Sequence, residues 1–230
     1  MRRAVFLCGI LVGTLAVAQE PLPPELRGAQ KLTALIQRVT QMQAGTATLQ
    51  ARFEQRKTSR LLAEPSVSRG RFYFKAPDSV RWEYDAPRPM TVLLANGVAI
   101  TYRPAEKRAE RVEVGRMQRR IFRFIGAAEP LDRLKQHFSF TFRDPGAEGN
   151  YTLLLTPTTH MIKKRIKQVE LEIDRQRMMP IAVMYEEADG DTTAYRFTDV
   201  VINKPLDDEL FRLTFPHGVE VVELKLGSEE

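Results

Sequence analysis

From residue 47 onward the chain changes its period, and that change constrains the fold most. Leu49, Ala51 and Phe53 alternate with Gln50, Arg52 and Glu54. Phe72 and Phe74 alternate with Arg71, Tyr73 and Lys75, and Val80, Trp82 and Tyr84 with Arg81, Glu83 and Asp85. A period of two puts one set of side chains on each face of a strand, so these runs predict half-buried β-strands. Asn96-Gly97 between Met90–Ala95 and Val98–Tyr102 predicts a tight hairpin, because both positions of such a turn need positive φ. Further strand-like runs are Arg108–Val114, Phe138–Phe142, Tyr151–Thr156, Gln168–Asp174, Ile181–Glu186, Thr192–Val201 and Val219–Leu226, with a turn at Asp189-Gly190. Their spacing predicts an antiparallel meander with few crossovers.

Two stretches depart from this period. Leu32, Leu35, Ile36, Val39 and Met42 form one apolar stripe of a helix that Gly45 ends, preceded by a proline-rich leader over residues 19–27 that is expected to be loose. Met117, Ile121, Phe122, Phe124, Ile125, Leu131, Leu134 and Phe138 recur at helical spacing, which predicts one or two short helices around Gly126. The fold class expected is α+β: one long antiparallel sheet with an N-terminal helix and a central helical insertion, in one domain over residues 19–230.

Residues 1–18 read differently. Met1-Arg2-Arg3 is a positive start, Ala4–Ala18 is apolar apart from Thr14, and Ala16-Val17-Ala18 precedes Gln19. This is the pattern of a cleavable secretory signal, and the apolar run is shorter than the roughly 20 residues that span a bilayer. Cleavage before Gln19 removes Arg2, Arg3 and the single cysteine, Cys8, lowering the formal net charge from +6 to +4. A thiol-free exported chain suits an oxidising compartment, and export argues against a nucleic-acid partner despite the basic balance.

Catalytic motifs are missing. His137, His160 and His217 fall in three separate segments, with no H-x-x-x-H spacing to converge on a metal. There is no nucleophile elbow, P-loop or dinucleotide fingerprint, and the pairs Glu186-Glu187 and Asp207-Asp208 point to opposite faces on a strand. No catalytic residue, metal ligand or cofactor is assigned, and the chain is not expected to be an enzyme. The basic clusters Arg116, Arg119, Arg120 and Arg123, and Lys163-Lys164-Arg165 with Lys167, read either as solvated rims or as docking surfaces for an acidic partner or anionic headgroups.

The alternating positions carry more apolar bulk than two or three short helices cover. Phe72, Phe74, Val80, Trp82, Tyr84, Leu93, Ile100 and Tyr102 are expected on a cavity or its rim. Leu35, Ile36 and Val39, with Ile121, Phe122 and Ile125, are expected to form a lid over it. Periodicity alone does not choose between a packed core and a lined hollow, nor between a movable lid and a static layer.

The ordered series Arg52-Phe53-Glu54-Gln55, Gly70-Arg71-Phe72-Tyr73-Phe74-Lys75-Ala76-Pro77, Val80-Arg81-Trp82-Glu83-Tyr84 and Pro87 resembles the periplasmic outer-membrane lipoprotein carrier proteins, the LolA family. Asn96-Gly97 with Tyr102-Arg103-Pro104 fits the family's hairpin. Ile202-Asn203, Leu206-Asp207, Phe211 and Phe215-Pro216-His217-Gly218-Val219-Glu220-Val221 resemble its C-terminal motif. The resemblance implies an incomplete antiparallel β-barrel whose apolar concave face is covered by helices. It implies a monomeric carrier that takes acylated lipoproteins from an inner-membrane ABC lipoprotein-release complex to an outer-membrane receptor; a carrier or sensor of another envelope lipid is the alternative. One position departs: where the family often has an arginine that latches the lid, this chain has Ala76, leaving Arg81, Arg103 or apolar contacts alone to do so.

Overall fold

The computed structural model describes residues 22–114, 130–146 and 149–224. The helical stripe becomes α1, Gly28–Ala44, which buries Leu35, Ile36 and Val39. Gly45 ends it: its N–H donates to Gln41 O, the Thr46 N–H donates to Gln43 O, and Thr46 Oγ1 donates to the carbonyl of Met42. Asn203 then clamps the corner between helix and sheet: its Oδ1 accepts from Ala47 N at 2.8 Å and its Nδ2 donates to Gly45 O at 3.0 Å.

The alternating runs form one twelve-stranded sheet. The strands are β1 Thr48–Thr58, β2 Ser66–Lys75, β3 Ser79–Tyr84, β4 Met90–Ala95, β5 Val98–Arg103, β6 Arg108–Glu113, β7 Phe138–Arg143, β8 Tyr151–Pro157, β9 Ile166–Asp174, β10 Met179–Glu187, β11 Thr192–Ile202 and β12 Glu220–Leu224. Their order is β12-β6-β5-β4-β3-β2-β1-β11-β10-β9-β8-β7. Two meanders, β1–β6 and β7–β11, are joined where β1 pairs antiparallel with β11. The terminal strands β12 and β7 are not neighbours, so the sheet curves without closing. Asn96 and Gly97 have φ of 52° and 77° and join β4 to β5 as expected for that turn.

Two expectations need correction. The meander is not wholly antiparallel: β12 pairs parallel with β6. A parallel pair needs a crossover, and residues 203–219 supply it, including a 3-10 turn at Asp208–Phe211. The proline-rich leader is not loose throughout, because Leu22 is 4% exposed and joins the main core. The central helical stretch is described only from residue 130, where α2 spans Leu131–Leu134; the rest of it lies outside the described residues. A last short helix, α3, is His160–Lys163 between β8 and β9.

Candidate functional site

Register assigns the faces of the sheet. Phe72 on β2 stands opposite Ala51 on β1 and Trp82 on β3; Phe74 stands opposite Leu49 and Val80. Val80 and Trp82 continue to Leu94 and Val92 on β4. On the other side of β1, Phe53 is opposite Phe197, and from Tyr195 on the same face of β11 a row runs through Val183, Leu171 and Leu153 to Phe142 on β7. One face is therefore apolar across the sheet, and its residues make up the main buried cluster.

An aromatic group lies at the centre. The Trp82 ring is 4.6 Å from Phe72, 4.8 Å from Phe53 and 5.2 Å from Tyr195, and Phe53 meets Tyr84 edge-on at 5.0 Å. Gln55 Nε2 donates to the Tyr195 hydroxyl at 2.8 Å. Burial pushes the Tyr195 phenol far up, with Tyr84 and Tyr185 adding to the shift, and burial likewise raises Tyr84. These phenols stay neutral at physiological pH, so the centre of the face pairs its polar atoms internally and carries no ionised phenol.

Phe72, Phe74, Val80 and Trp82 are all at or below 4% exposure on this face, with Tyr84 half-buried beside them. Leu35, Ile36 and Val39 of α1 cover the second meander and pack toward β7, β10 and α2. The register overturns the placement of three others. Leu93 stands opposite Arg81, Ile100 opposite Leu93, and Tyr102 opposite Thr91, so all three point to the convex side. There the crossover segment covers them: the 3-10 turn lies against β3 and β4, Phe211 is buried, and the Phe215 ring is 5.3 Å from Tyr102. Leu93 is 3% exposed yet does not belong to the main cluster, which marks a second, smaller apolar layer. Ile121, Phe122 and Ile125 of the expected lid, and Arg116, Arg119, Arg120 and Arg123 of the expected docking surface, lie outside the described residues. The inward residues of β7–β11 were not among the expected site residues, although the same alternation marks them.

The arginine alternatives to a latch at Ala76 do not reach α1. Arg81 donates to Leu210 O at 2.9 Å and pairs with Glu83, and Arg103 pairs with Glu110. Lys75 pairs with Asp208 on the crossover. Polar ties of α1 lie elsewhere, and one is Gln43 Oε1, which accepts from Leu131 N at 3.2 Å. Lys31, 8% exposed, donates from Nζ to Asp144 Oδ2, just beyond β7. Arg175 donates to Asp144 Oδ1 at 3.0 Å, and its guanidinium sits 4.3 Å from the Tyr151 ring centre. Partial burial works to raise the Asp144 carboxyl, but hydrogen bonds from Lys31, Gly146 N–H and Arg175 outweigh it and hold it below the usual carboxylate range.

That depression has a sign. A carboxyl with a lowered folded-state pKa contributes stability above its unfolded value of about 3.9, and the contribution is lost as pH falls through the folded value. Asp144→Asn leaves Lys31 buried without its countercharge and is expected to cost about 1–3 kcal/mol at neutral pH. It should also flatten the acid limb of a melting-temperature profile between about pH 5 and pH 2. An acid limb as steep as that of the unmodified chain would mean that other carboxylates govern it.

The geometry agrees with what known proteins show. Residues 44–214 match the family model described as outer membrane lipoprotein carrier protein LolA. The outer-membrane lipoprotein carrier protein of Pseudomonas paraeruginosa is 25% identical over 217 residues, covering 93% of this chain and 99% of that one. The protein of the same name from Methylococcus capsulatus is 27% identical over 182 residues, covering 77% and 82%. Among solved structures, an uncharacterized conserved protein from Thermus thermophilus superposes with a TM-score of 0.53 at 10% identity, covering 85% of this chain and 100% of that one. MucB superposes with a TM-score of 0.50 at 15% identity, covering 85% and 66%. At such identities these two structures speak for the fold alone. With most of its length matched by the family model and an unclosed, curved sheet of the expected kind, this chain belongs to the LolA family of outer membrane lipoprotein carrier proteins.

Proposed function

We propose that the protein is a periplasmic carrier that shields the acyl chains of lipoproteins and moves them from the inner to the outer membrane. The observation that carries this reading is the apolar concave face, spanning both meanders, with α1 over part of the second. Each acyl CH₂ buried there is worth about 0.8 kcal/mol, so bare chains are costly in water and a long apolar surface offsets that cost. Contacts between soft apolar walls and chains bind strongly without polar anchors, which suits a cargo that must also be released.

In this reading residues 1–18 are cleaved during export, and residues 19–230 act as one monomeric domain without catalysis or nucleic acid. The carrier receives acylated lipoproteins from an inner-membrane ABC lipoprotein-release complex and hands them to an outer-membrane receptor. Phe72, Phe74, Val80 and Trp82 line the acyl site once the concave face opens, because in the closed form they are buried. Ala76 supplies no side-chain donor, so the closed form rests on the buried face of α1 and the Lys31–Asp144 pair. That different tie is what favours a second reading, a LolA-like carrier or sensor of another envelope lipid. Depleting the protein and fractionating the membranes tests the first reading: lipoproteins still correctly sorted to the outer membrane would overturn it. Native mass spectrometry of protein drawn from the periplasm separates the two, since a bound lipidated protein supports the first and a free lipid the second.

A further inference from the structure

Four of the seven large apolar side chains that stand exposed among the described residues gather at one end of the sheet. Leu61 is 95% exposed and Leu62 43% exposed, on the seven-residue loop 59–65 between β1 and β2; Val67 is 37% exposed beside it, and Met161 on α3 is 71% exposed. Leu62 N and Leu61 N bond back to Ser59 O and Ser59 Oγ, so a defined turn presents both leucines. The loops share one end of the sheet. Ala188 N donates to Arg165 O at 3.0 Å, joining the α3 segment to the β10–β11 turn, and the Arg60 guanidinium lies 3.7 Å from where a side chain on Gly190 of that turn would begin.

Cations flank these apolar groups. Lys57 and Arg60 border the leucines, and Lys163 and Lys164 follow Met161; none of the four makes an ion pair among the described residues. Glu64 stands on the first loop, Asp189 and Asp191 on the β10–β11 turn, and Glu187 and Glu186 at the end of β10, where Glu186 pairs with Lys167. The α3 segment, His160-Met161-Ile162-Lys163-Lys164-Arg165, has no acidic residue.

The geometry points to this end, loop 59–65 together with α3, as a docking surface for an anionic lipid bilayer. The charges decide the occupant: unpaired lysines around isolated, protruding apolar side chains complement phosphate headgroups above an acyl layer. A protruding loop inserts side chains without needing the flat, complementary area that a protein partner needs. Each lysine attracts an anionic surface within a Debye length, and each leucine then leaves water, so the two contributions reinforce each other and salt weakens only the first. The surface lies outside the main buried cluster, so its test needs no cargo and stands apart from the carrier reading.

The experiment is sedimentation of the chain from Gln19 onward, since residues 4–18 are apolar enough to bind vesicles themselves. Vesicles of phosphatidylglycerol with phosphatidylethanolamine are compared with pure phosphatidylcholine. The unmodified chain should partition onto the anionic vesicles about tenfold better, and less so in salt. Leu61→Ser with Leu62→Ser should cut anionic binding at least about fivefold. Lys163→Glu with Lys164→Glu should cut it by about tenfold or more at low salt and remove most of the salt dependence. Val201→Ser, at a residue 40% exposed at the far end of the sheet, should change nothing. Denaturant midpoints should stay put, because the mutated side chains are exposed. Equal binding to both kinds of vesicle, or both paired variants binding like the unmodified chain, would overturn the proposal. Unchanged vesicle binding with poorer cargo handover to protein-bearing membranes would also overturn it, and would assign the surface to an acidic protein.

Discussion

Gly70→Ala should destabilise the protein by about 3–5 kcal/mol, a large part of what a domain of this size has. Gly70 lies on β2 facing the core, opposite Phe53 on β1 and Tyr84 on β3. The Phe53 ring fills the place where a side chain would stand. A Cβ there would come within 2.9 Å of that ring and overlap the main-chain carbonyl of Glu83. A flexible side chain can swing aside, but a strand carbonyl moves only if β2 and β3 part. Phe53 has no free direction either, since it is 3% exposed and contacts Trp82 and Tyr84 edge-on. The denaturant midpoint should fall sharply with its slope unchanged. A loss below about 1 kcal/mol would mean that the strands give way more easily than close packing allows.

Much of this architecture is readable from residue order, because alternation is a local signal. The strands β1–β5 follow directly from runs such as Arg71–Lys75 and from Asn96-Gly97. What escapes is whatever depends on distant partners. Leu93 and Leu94 are neighbours and both apolar, so β4 alone does not say which faces the concave side; the register with Val80 and Arg81 decides it. Ile100 and Tyr102 look like core residues and are half-buried, but under a crossover segment whose Phe211 and Phe215 come more than a hundred residues later. The five residues of β12 carry no mark of direction, and the crossover makes them parallel to β6. Lys31 reads as a solvated helix residue, yet it is buried against Asp144, 113 positions away. In each case the local pattern gives the element, and a long-range contact gives its surroundings.

Val80→Glu should separate a packed concave face from a wet hollow. Val80 is 1% exposed and lies between Phe74, at 4%, and Leu94, at 1%. A carboxylate there has no partner and no water, so the folded state binds its proton more tightly and its pKa rises. In the unfolded chain the same group ionises near about pH 4.3. A raised folded-state pKa means that the penalty is small below the unfolded value and grows as pH climbs through the interval between the two. The variant should lose about 3–5 kcal/mol near pH 8 and recover part of that near pH 4.5. Val80→Gln is the control, since its size is similar and its amide does not titrate; its deficit, measured against the unmodified chain, should stay level with pH. The glutamate variant should also bind a fluorescent apolar probe more weakly than the unmodified protein if acyl chains run past this position. A glutamate variant as stable near pH 8 as the unmodified chain would mean that water reaches residue 80, and the concave face would then be an open hollow and not a packed surface.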